Sequence, residues 1–297
     1  METSITPFSQ IAARYSASID EALDSFSALP ADCPPRLCEA IRYSLLAPGK
    51  RLRPLLVLMS CEACGGDIAA AMPAACAVEM VHAYSLIHDD LPCMDDDDMR
   101  RGRPTNHKVH GEALAVLAGD ALLTMAFEVL ANEIHPYRTA AFCCLELSRA
   151  AGPTALVGGQ ADDLDGVSAT VDLPRLEAIH RRKTGALILA SIRLGAIIAR
   201  ASRRQRAALE TYGQRIGLAF QITDDLLDAT GDPVALGKGA GKDADRGKLT
   251  FPGLLGVEES RRRAEQLIAE AIAAVTTLGP TAEGLESLAH HVLQRNH

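Results

Sequence analysis

Apolar residues recur at spacings of three and four along most of the 297-residue chain, and this periodicity constrains the fold more than any other feature. One example is the series Leu176, Ile179, Leu187 and Ile188, which has polar residues between its members. The alternating β-branched residues that are typical of strands are scarce, and 4% aromatic residues with no Trp argue against a sandwich or a barrel. The sequence therefore predicts an all-α fold.

Helices are predicted between clusters of Gly, Pro and Asp. They cover residues 8–28, 34–46, 54–65, 70–90, 111–133, 138–151, 154–165, 173–200, 204–229, 257–276 and 281–295. No Pro- or Ser-rich linker and no repeat of fixed period divides the chain, so residues 1–297 are expected to form a single domain. Two highly charged breaks interrupt the helical pattern, at 91–107 and 230–250.

The charge balance and the first residues limit the partners of the chain. There are 38 acidic and 30 basic residues, a formal charge of −8, so the chain lacks the global basic field that holds a nucleic-acid backbone. No basic stretch followed by an apolar one opens the sequence, and no charge-free apolar run approaches the ~18 residues that cross a bilayer. We expect no nucleic-acid partner, no membrane span and a cytoplasmic location.

The first charged break places six carboxylates within the ten positions from Asp89 to Asp98. Asp89 and Asp90 close an apolar helix, where the negative end of the helix dipole makes a carboxylate unfavourable. A divalent cation bound through oxygen would relieve this repulsion, and Mg²⁺ is usually held by one or two carboxylates together with substrate phosphates. The predicted ligands are Asp89 and Asp95. The alternative is a solvated acidic loop, which is the usual fate of a charge run.

A second acidic group lies within a predicted helix. Asp224 and Asp228 are four residues apart and share one helix face, and Asp225 lies beside them. Their flanks, such as Ile216 and Leu226, are typical of a core, so the carboxylates are expected to be partly buried. A cation is the simplest compensation. The alternative is a polar face that pairs with an arginine from another helix.

Basic stretches accompany both acidic groups. The segment Gly49–Pro54 places three cations just before a predicted helix, which suits an anion. Arg100, Arg101 and Arg103 follow the acidic loop, and residues 237–248 form a glycine-rich basic segment. Each stretch alone is typical of a solvated surface. Together with two carboxylate groups, they predict one cavity that binds Mg²⁺ and more than one phosphate-bearing group.

Several motifs in this sequence resemble those of the trans-polyprenyl diphosphate synthase family, and most of all its bacterial farnesyl diphosphate synthases. They are Gly49-Lys50-Arg51-Leu52-Arg53-Pro54, Asp89-Asp90 with Asp95 and then Arg100-Arg101-Gly102, Gly159-Gln160 with Asp163, Lys183-Thr184-Gly185, Asp224-Asp225 with Asp228, Gly237-Lys238 and Gly247-Lys248. The resemblance covers nearly the whole chain. It implies an isoprenoid synthase fold, a bundle of mostly antiparallel helices around a central cavity, and a homodimer.

The resemblance also implies a Mg²⁺-dependent head-to-tail condensation. An allylic diphosphate, dimethylallyl or geranyl, loses its diphosphate, the double bond of isopentenyl diphosphate attacks the allylic cation, and a proton is lost to the released diphosphate. Three Mg²⁺ ions per site are implied, with Mn²⁺ as a substitute. The metal ligands carried over from the family are Asp89, Asp90, Asp95, Asp224, Asp225 and Asp228.

The remaining roles are carried over position by position. Contacts to isopentenyl diphosphate match Lys50, Arg53, His82 and Arg101. Contacts to the allylic diphosphate match Arg100, Lys183, Lys238 and Lys248, and groups that face the developing cation match Thr184 and Gln221. The implied catalytic set is Asp89, Asp95, Arg100, Lys183, Thr184, Gln221, Asp224 and Lys238.

Chain length is expected to depend on Tyr84 and Ser85, which precede Asp89 by five and four residues and lie a turn deeper on the same helix. In the family a bulky aromatic at this place blocks the growing tail, so a farnesyl product is expected. The alternative is a geranylgeranyl diphosphate synthase, because such enzymes share the Leu91–Met94 insertion.

Two other classes of protein stay open. A terpene cyclase or head-to-head synthase would use similar Asp and Mg²⁺ chemistry, although a cyclase needs no second diphosphate site. A scaffolding protein would show no turnover.

Overall fold

The computed structural model describes residues 6–165, 172–230 and 249–294, and α-helices dominate this part of the chain. They are α1 Phe8–Phe26, α2 Pro35–Leu45, α3 Leu52–Ala63, α4 Ile68–Asp89, α5 Asn106–His110, α6 Glu112–Glu133, α7 Tyr137–Ala151, α8 Leu156–Asp165, α9 Leu173–His180, α10 Ala186–Ile198, α11 Arg203–Thr230, α12 Phe251–Leu255, α13 Val257–Thr276 and α14 Glu283–Gln294. An antiparallel ribbon joins β1 Met99–Arg100 to β2 Arg103–Pro104. A π-helical turn, Arg181–Gly185, separates α9 from α10, and a 3₁₀ turn, Pro280–Ala282, precedes α14.

Helix α4 lies at the centre of the bundle, between α3 and α6. Asp67 immediately precedes α4, and its carboxylate accepts the backbone N–H of Ala69 at 3.0 Å and so caps the helix. Its side chains are buried on every face, and many of them are alanines, which allow neighbouring helices to approach closely. One continuous hydrophobic core extends from Ile11 of α1 to Val292 of α14. The central position of α4 places its C-terminal carboxylates inside the bundle.

Two helices, α4 and α6, are long and apolar enough to cross a membrane by length and composition alone. This is weak evidence, because the core helix of a globular protein passes the same test. In α4, 67% of the apolar window is buried inside the fold. The absence of a membrane span remains a prediction.

The predicted all-α class agrees with the described helices, whereas details inside the predicted elements differ. The π-helical turn divides the predicted helix 173–200. The sequence did not predict this division, because the apolar periodicity continues on both sides of the turn. The charged break 91–107 contains the β1–β2 ribbon and the start of α5, which have too few residues to give a periodic signal. Most of the second charged break, residues 231–248, lies outside the described residues. The single-domain organisation stays a prediction.

Candidate active site

The loop after α4 folds back against the end of that helix and brings two predicted metal ligands close together. The backbone N–H of Asp95 donates to the carbonyl of Asp89 at 2.8 Å, and the N–H of Asp96 donates to the carbonyl of Leu91 at 3.1 Å. Burial raises the pKa of Asp89 to about 6; the Lys183 charge opposes this rise, and the Asp95 charge adds to it. Asp89 is therefore a poorly solvated carboxylate beside a second acid, and a divalent cation would stabilise it.

Asp90, another predicted metal ligand, forms a buried ion pair with Arg100. The Nε of Arg100 lies 2.7 and 2.8 Å from the two carboxylate oxygens, and its Nη2 lies 2.6 Å from Oδ1. This fork holds the guanidinium at the end of α4, where it also attracts Asp89. Arg100 is thus positioned to hold an anion beside Asp89. The role of Asp90 as a metal ligand remains a prediction.

The second aspartate motif lies on α11, and two of its members face different partners. Asp225 is 6% exposed, and its Oδ2 accepts the backbone N–H of Phe251, the first residue of α12, at 2.9 Å. The same oxygen lies 3.8 Å from the Nε2 of His180, but burial lowers the pKa of His180 to about 4, so its imidazole is neutral at pH 7. Asp224 instead attracts the guanidinium of Arg53. The charge of Asp224 therefore acts on a cation in the first turn of α3.

The π-helical turn between α9 and α10 carries Lys183. Such turns are often found at functional sites. Gly159 of α8 allows the turn to pack closely, because a Cβ at this position would lie only 2.3 Å from the backbone nitrogen of Lys183. The Nζ of Lys183 lies 2.7 Å from an oxygen of Asp163, and its charge also acts on Asp89. The turn thus presents a cation to the first aspartate motif.

A second cationic cluster surrounds the start of α3. Burial lowers the pKa of His82 well below its usual range, and the charges of Arg53 and Arg101 lower it further, so the imidazole is neutral. Within the described part of the chain, the buried Nε of Arg53 has no hydrogen-bond partner. Arg101 packs on Gly49, and its Nη1 donates to the carbonyl of Pro48 at 3.3 Å. Two guanidinium groups and one neutral imidazole donor suit a diphosphate.

The other predicted site residues have less defined surroundings. Lys50 is exposed just before α3, whereas Thr184 on the π-helical turn and Gln221 and Asp228 on α11 are partly exposed. Lys238 and Lys248 lie outside the described residues.

The chain-length residues are buried in α4. The ring of Tyr84 is 6% exposed and meets the ring of His88 edge to face, with 5.8 Å between centroids. The Nε2 of His88 lies 3.0 Å from the carbonyl of Val116 on α6, and a Cβ at Gly119 would clash with this nitrogen at 2.1 Å. The hydroxyl of Ser85 donates to a carbonyl of α4 itself at 2.9 Å. Tyr84 therefore packs against His88 of the same helix, and His88 in turn contacts α6.

Two features of the site escaped the sequence analysis. Carboxylate oxygens of Asp96 and Asp98 and a ring nitrogen of His107 lie within 4.8 Å of one another, because the ribbon returns α5 to the acidic loop. Glu79 is 3% exposed and lines the same cavity as His82 and Arg101. Its position one helical turn before His82 was the only available signal.

The donors at the aspartate motifs fit Mg²⁺. Asp89, Asp95 and Asp224 offer carboxylate oxygens, the hard donors that Mg²⁺ prefers, and the raised pKa of Asp89 shows a charge that the protein alone does not compensate. An all-α bundle with two aspartate motifs beside two cationic clusters defines a class of protein that binds diphosphates with a metal ion. The polyprenyl synthetase family model matches residues 34–279, and the chain belongs to this family of enzymes.

Named relatives and solved structures agree with this assignment. Geranylgeranyl pyrophosphate synthase 12, chloroplastic, from Arabidopsis thaliana is 52% identical over 265 residues, which are 87% of this chain and 73% of the relative. An FPP/GFPP synthase from Zymomonas mobilis has a TM-score of 0.86 and 41% identity over 96% of this chain and 98% of that chain. A geranyltransferase from Legionella pneumophila has a TM-score of 0.87 and 32% identity over 97% of both chains.

These comparisons confirm the predicted family, the all-α isoprenoid synthase fold and the prenyltransferase class. They do not confirm the farnesyl product, because similar curated relatives are named geranylgeranyl pyrophosphate synthases. The alternative product is therefore better supported than the expected one.

Proposed function

We propose that the protein condenses isopentenyl diphosphate head to tail with an allylic diphosphate and extends the chain to geranylgeranyl diphosphate. The observation that carries the reaction is the presence of two cationic clusters beside the aspartate motifs. Lys183 and Arg100 lie next to Asp89, whereas Arg53 and Arg101 surround His82. Two diphosphates can thus be bound at once, which a condensation requires and a cyclisation does not.

Each cluster has a separate task. Mg²⁺ held by Asp89, Asp95 and Asp224 would supply positive charge to the leaving diphosphate. Arg100, fixed by its fork with Asp90, and Lys183 bind the same group and hold it after the C–O bond breaks.

The second substrate is oriented by the other cluster. Arg53 and Arg101 bind the diphosphate of isopentenyl diphosphate, and the neutral imidazole of His82 donates one hydrogen bond to it. Side-chain oxygens of Thr184 and Gln221 face the allylic cation, and the released diphosphate accepts the proton. The apolar walls of the bundle exclude water that would otherwise quench the cation.

The relatives support the geranylgeranyl product. Curated proteins named for geranylgeranyl synthesis are 48–52% identical to this chain over most of its length. Farnesyl diphosphate is the second candidate, and the buried ring of Tyr84, one turn deeper than Asp89, favours it. The Zymomonas mobilis relative, at 41% identity, is named an FPP/GFPP synthase, and the FPP in its name also favours the second candidate.

Product analysis separates the two candidates. The purified chain is incubated with Mg²⁺, isopentenyl diphosphate and, separately, dimethylallyl, geranyl or farnesyl diphosphate, and the dephosphorylated products are separated by chromatography. We expect a C20 product from all three allylic substrates. Refusal of farnesyl diphosphate, with a C15 product from the shorter two, would establish the farnesyl candidate instead. No condensation with any of them would refute the reaction.

We also propose a homodimer formed through α6, α7 and α8. Large apolar side chains that are exposed in the described residues are concentrated between positions 99 and 164. Among them, Leu117 on α6 is 51% exposed and Phe142 on α7 is 47% exposed. Helix α7 contacts both α6 and α8, and exposed apolar side chains on neighbouring helices are typical of an interface. Sedimentation is expected to give a dimer that Leu117→Glu dissociates, and a monomeric wild-type chain would exclude it.

The cytoplasmic location remains a proposal that cell fractionation can test.

A further inference from the structure

Glu79 is a buried carboxylate in the middle of the cationic cluster at the start of α3. It lies on α4, one helical turn before His82, and is 3% exposed. Its Oε1 accepts a hydrogen bond from the Nη1 of Arg51 at 3.0 Å. Charged groups are rarely buried without a partner and a reason. In the proposed mechanism Glu79 has no role.

Arg51 is held on several sides by this contact and others. Its Nε donates to Asp20 at 2.9 Å, and its Nη1 also donates to the carbonyl of Leu45 at 3.1 Å. The backbone of Arg51 has φ +46°, a left-handed conformation that a non-glycine residue keeps only when its surroundings enforce it. Arg51 is also the residue that immediately precedes α3. Fixing its side chain therefore fixes the start of α3, from which Arg53 projects.

Glu79 also acts directly on the diphosphate-binding groups. It attracts the guanidinium groups of both Arg53 and Arg101, which repel each other. Glu79, His82 and Arg101 line one cavity between α2, α4 and the ribbon. The buried carboxylate therefore lies where it can hold like-charged side chains together before an anion arrives.

We propose that Glu79 is the positioning residue of the isopentenyl diphosphate site, which holds the start of α3 through Arg51 and keeps Arg53 and Arg101 in place for the second diphosphate. This inference rests on the proposed function. Glu79 does not touch the reacting atoms. It acts by pre-organising the site: Arg53 and Arg101 are held in place despite their mutual repulsion, so the diphosphate does not have to order them when it binds.

The substitution Glu79→Gln should change the affinity for isopentenyl diphosphate in opposite directions, depending on whether Glu79 positions the cluster or only contributes to its net charge. Glu79→Gln removes one negative charge, so the cluster becomes more positive, and an anion would bind more tightly if only net charge mattered. If Glu79 positions the cluster, the same change should weaken binding of isopentenyl diphosphate. We expect the KM for isopentenyl diphosphate to rise about tenfold, while the KM for the allylic diphosphate and kcat at saturation change by less than about threefold.

The test is steady-state kinetics on the purified full-length chain, with each substrate varied in turn. Glu259→Gln is the matched control, because it makes the same chemical change at a 44% exposed side chain of α13, whose ion-pair partner Arg262 lies on the same helix. This control should leave both KM values near those of the wild type. Thermal unfolding of each variant separates loss of positioning from loss of the fold.

An unchanged or lower KM for isopentenyl diphosphate in Glu79→Gln would overturn the proposal. A lower melting temperature together with a lower kcat and an equal rise of both KM values would also overturn it. If Glu79→Gln does not fold, Glu79→Asp keeps the charge but shortens the reach, and it should raise the same KM by a smaller factor; a wild-type KM there would also refute positioning. Absence of condensation in the wild-type chain would instead refute the proposed function.

Discussion

Replacing Asp89 with Asn should stabilise the metal-free protein while it weakens metal binding. Burial disfavours the ionised carboxylate of Asp89, and the nearby charge of Asp95 disfavours it further, although Lys183 partly compensates. Asparagine has nearly the same shape and no charge. The variant therefore loses the cost of the buried charge and keeps the packing at the end of α4.

The magnitude follows from the pKa of Asp89, which rises from 3.8 to about 6 on folding. At about 1.4 kcal/mol per pKa unit, the ionised carboxylate lowers the free energy of unfolding by about 3 kcal/mol at pH 7. Because the folded pKa lies above the unfolded one, this penalty is absent below pH 4, grows between pH 4 and about 6 and is complete above that. The stability difference between Asp89→Asn and the wild type should follow the same curve.

Denaturant unfolding of both proteins in the presence of a chelator, at several pH values, measures this difference. At pH 7 we expect Asp89→Asn to be more stable by about 1–3 kcal/mol, since relaxation and water penetration reduce the full value. Excess Mg²⁺ with inorganic pyrophosphate should reverse the order, because only the wild type keeps the ligand. Asp98→Asn, at a 70% exposed side chain paired with Lys108, is the control and should gain nothing. A metal-free Asp89→Asn protein that is less stable than the wild type at pH 7 would refute the reasoning.

Three further changes test other parts of the structure. Tyr84→Ala should lengthen the main product relative to the wild type by opening the space beneath the site, and chromatography showing unchanged chain length would remove Tyr84 from product control. Gly159→Ala should lower kcat at least about tenfold, because a Cβ 2.3 Å from the backbone nitrogen of Lys183 displaces the π-helical turn; wild-type kinetics would contradict this. Tyr212→Phe should cost about 1 kcal/mol in urea unfolding, since its buried hydroxyl donates to the carbonyl of Leu285 at 2.8 Å, and no loss would show that the bond contributes little.

The sequence predicted the helices well because helical periodicity records which face meets the core. It could not predict the π-helical turn, since the apolar residues Leu176, Ile179, Leu187 and Ile188 continue the same pattern across it. The turn depends on the close approach of Gly159, which belongs to another helix. A π-helical turn that is stabilised by packing against another helix cannot be detected from the apolar periodicity of its own segment.

The candidate site was predictable to the level of the motifs but not to the level of their partners. Runs of aspartates at the end of an apolar helix break a local rule, and this made Asp89 and Asp95 conspicuous. The ion pair of Asp90 with Arg100 depends on the ribbon that returns Arg100 to the end of α4. Glu79 escaped notice because a single acid in an apolar helix resembles a surface residue until the neighbouring helices are known.

The two aspartate motifs share a division of tasks that explains why each contains adjacent carboxylates. In each motif the second aspartate, Asp90 or Asp225, is nearly fully buried and bonded to another part of the chain. The first, Asp89 or Asp224, remains near cations of the site, Lys183 and Arg53 respectively. Two adjacent carboxylates facing one cavity would repel each other strongly in a poorly solvated place. Turning the second carboxylate towards the ribbon or towards α12 reduces that repulsion, and it ties the elements around the site to the helix that carries the first.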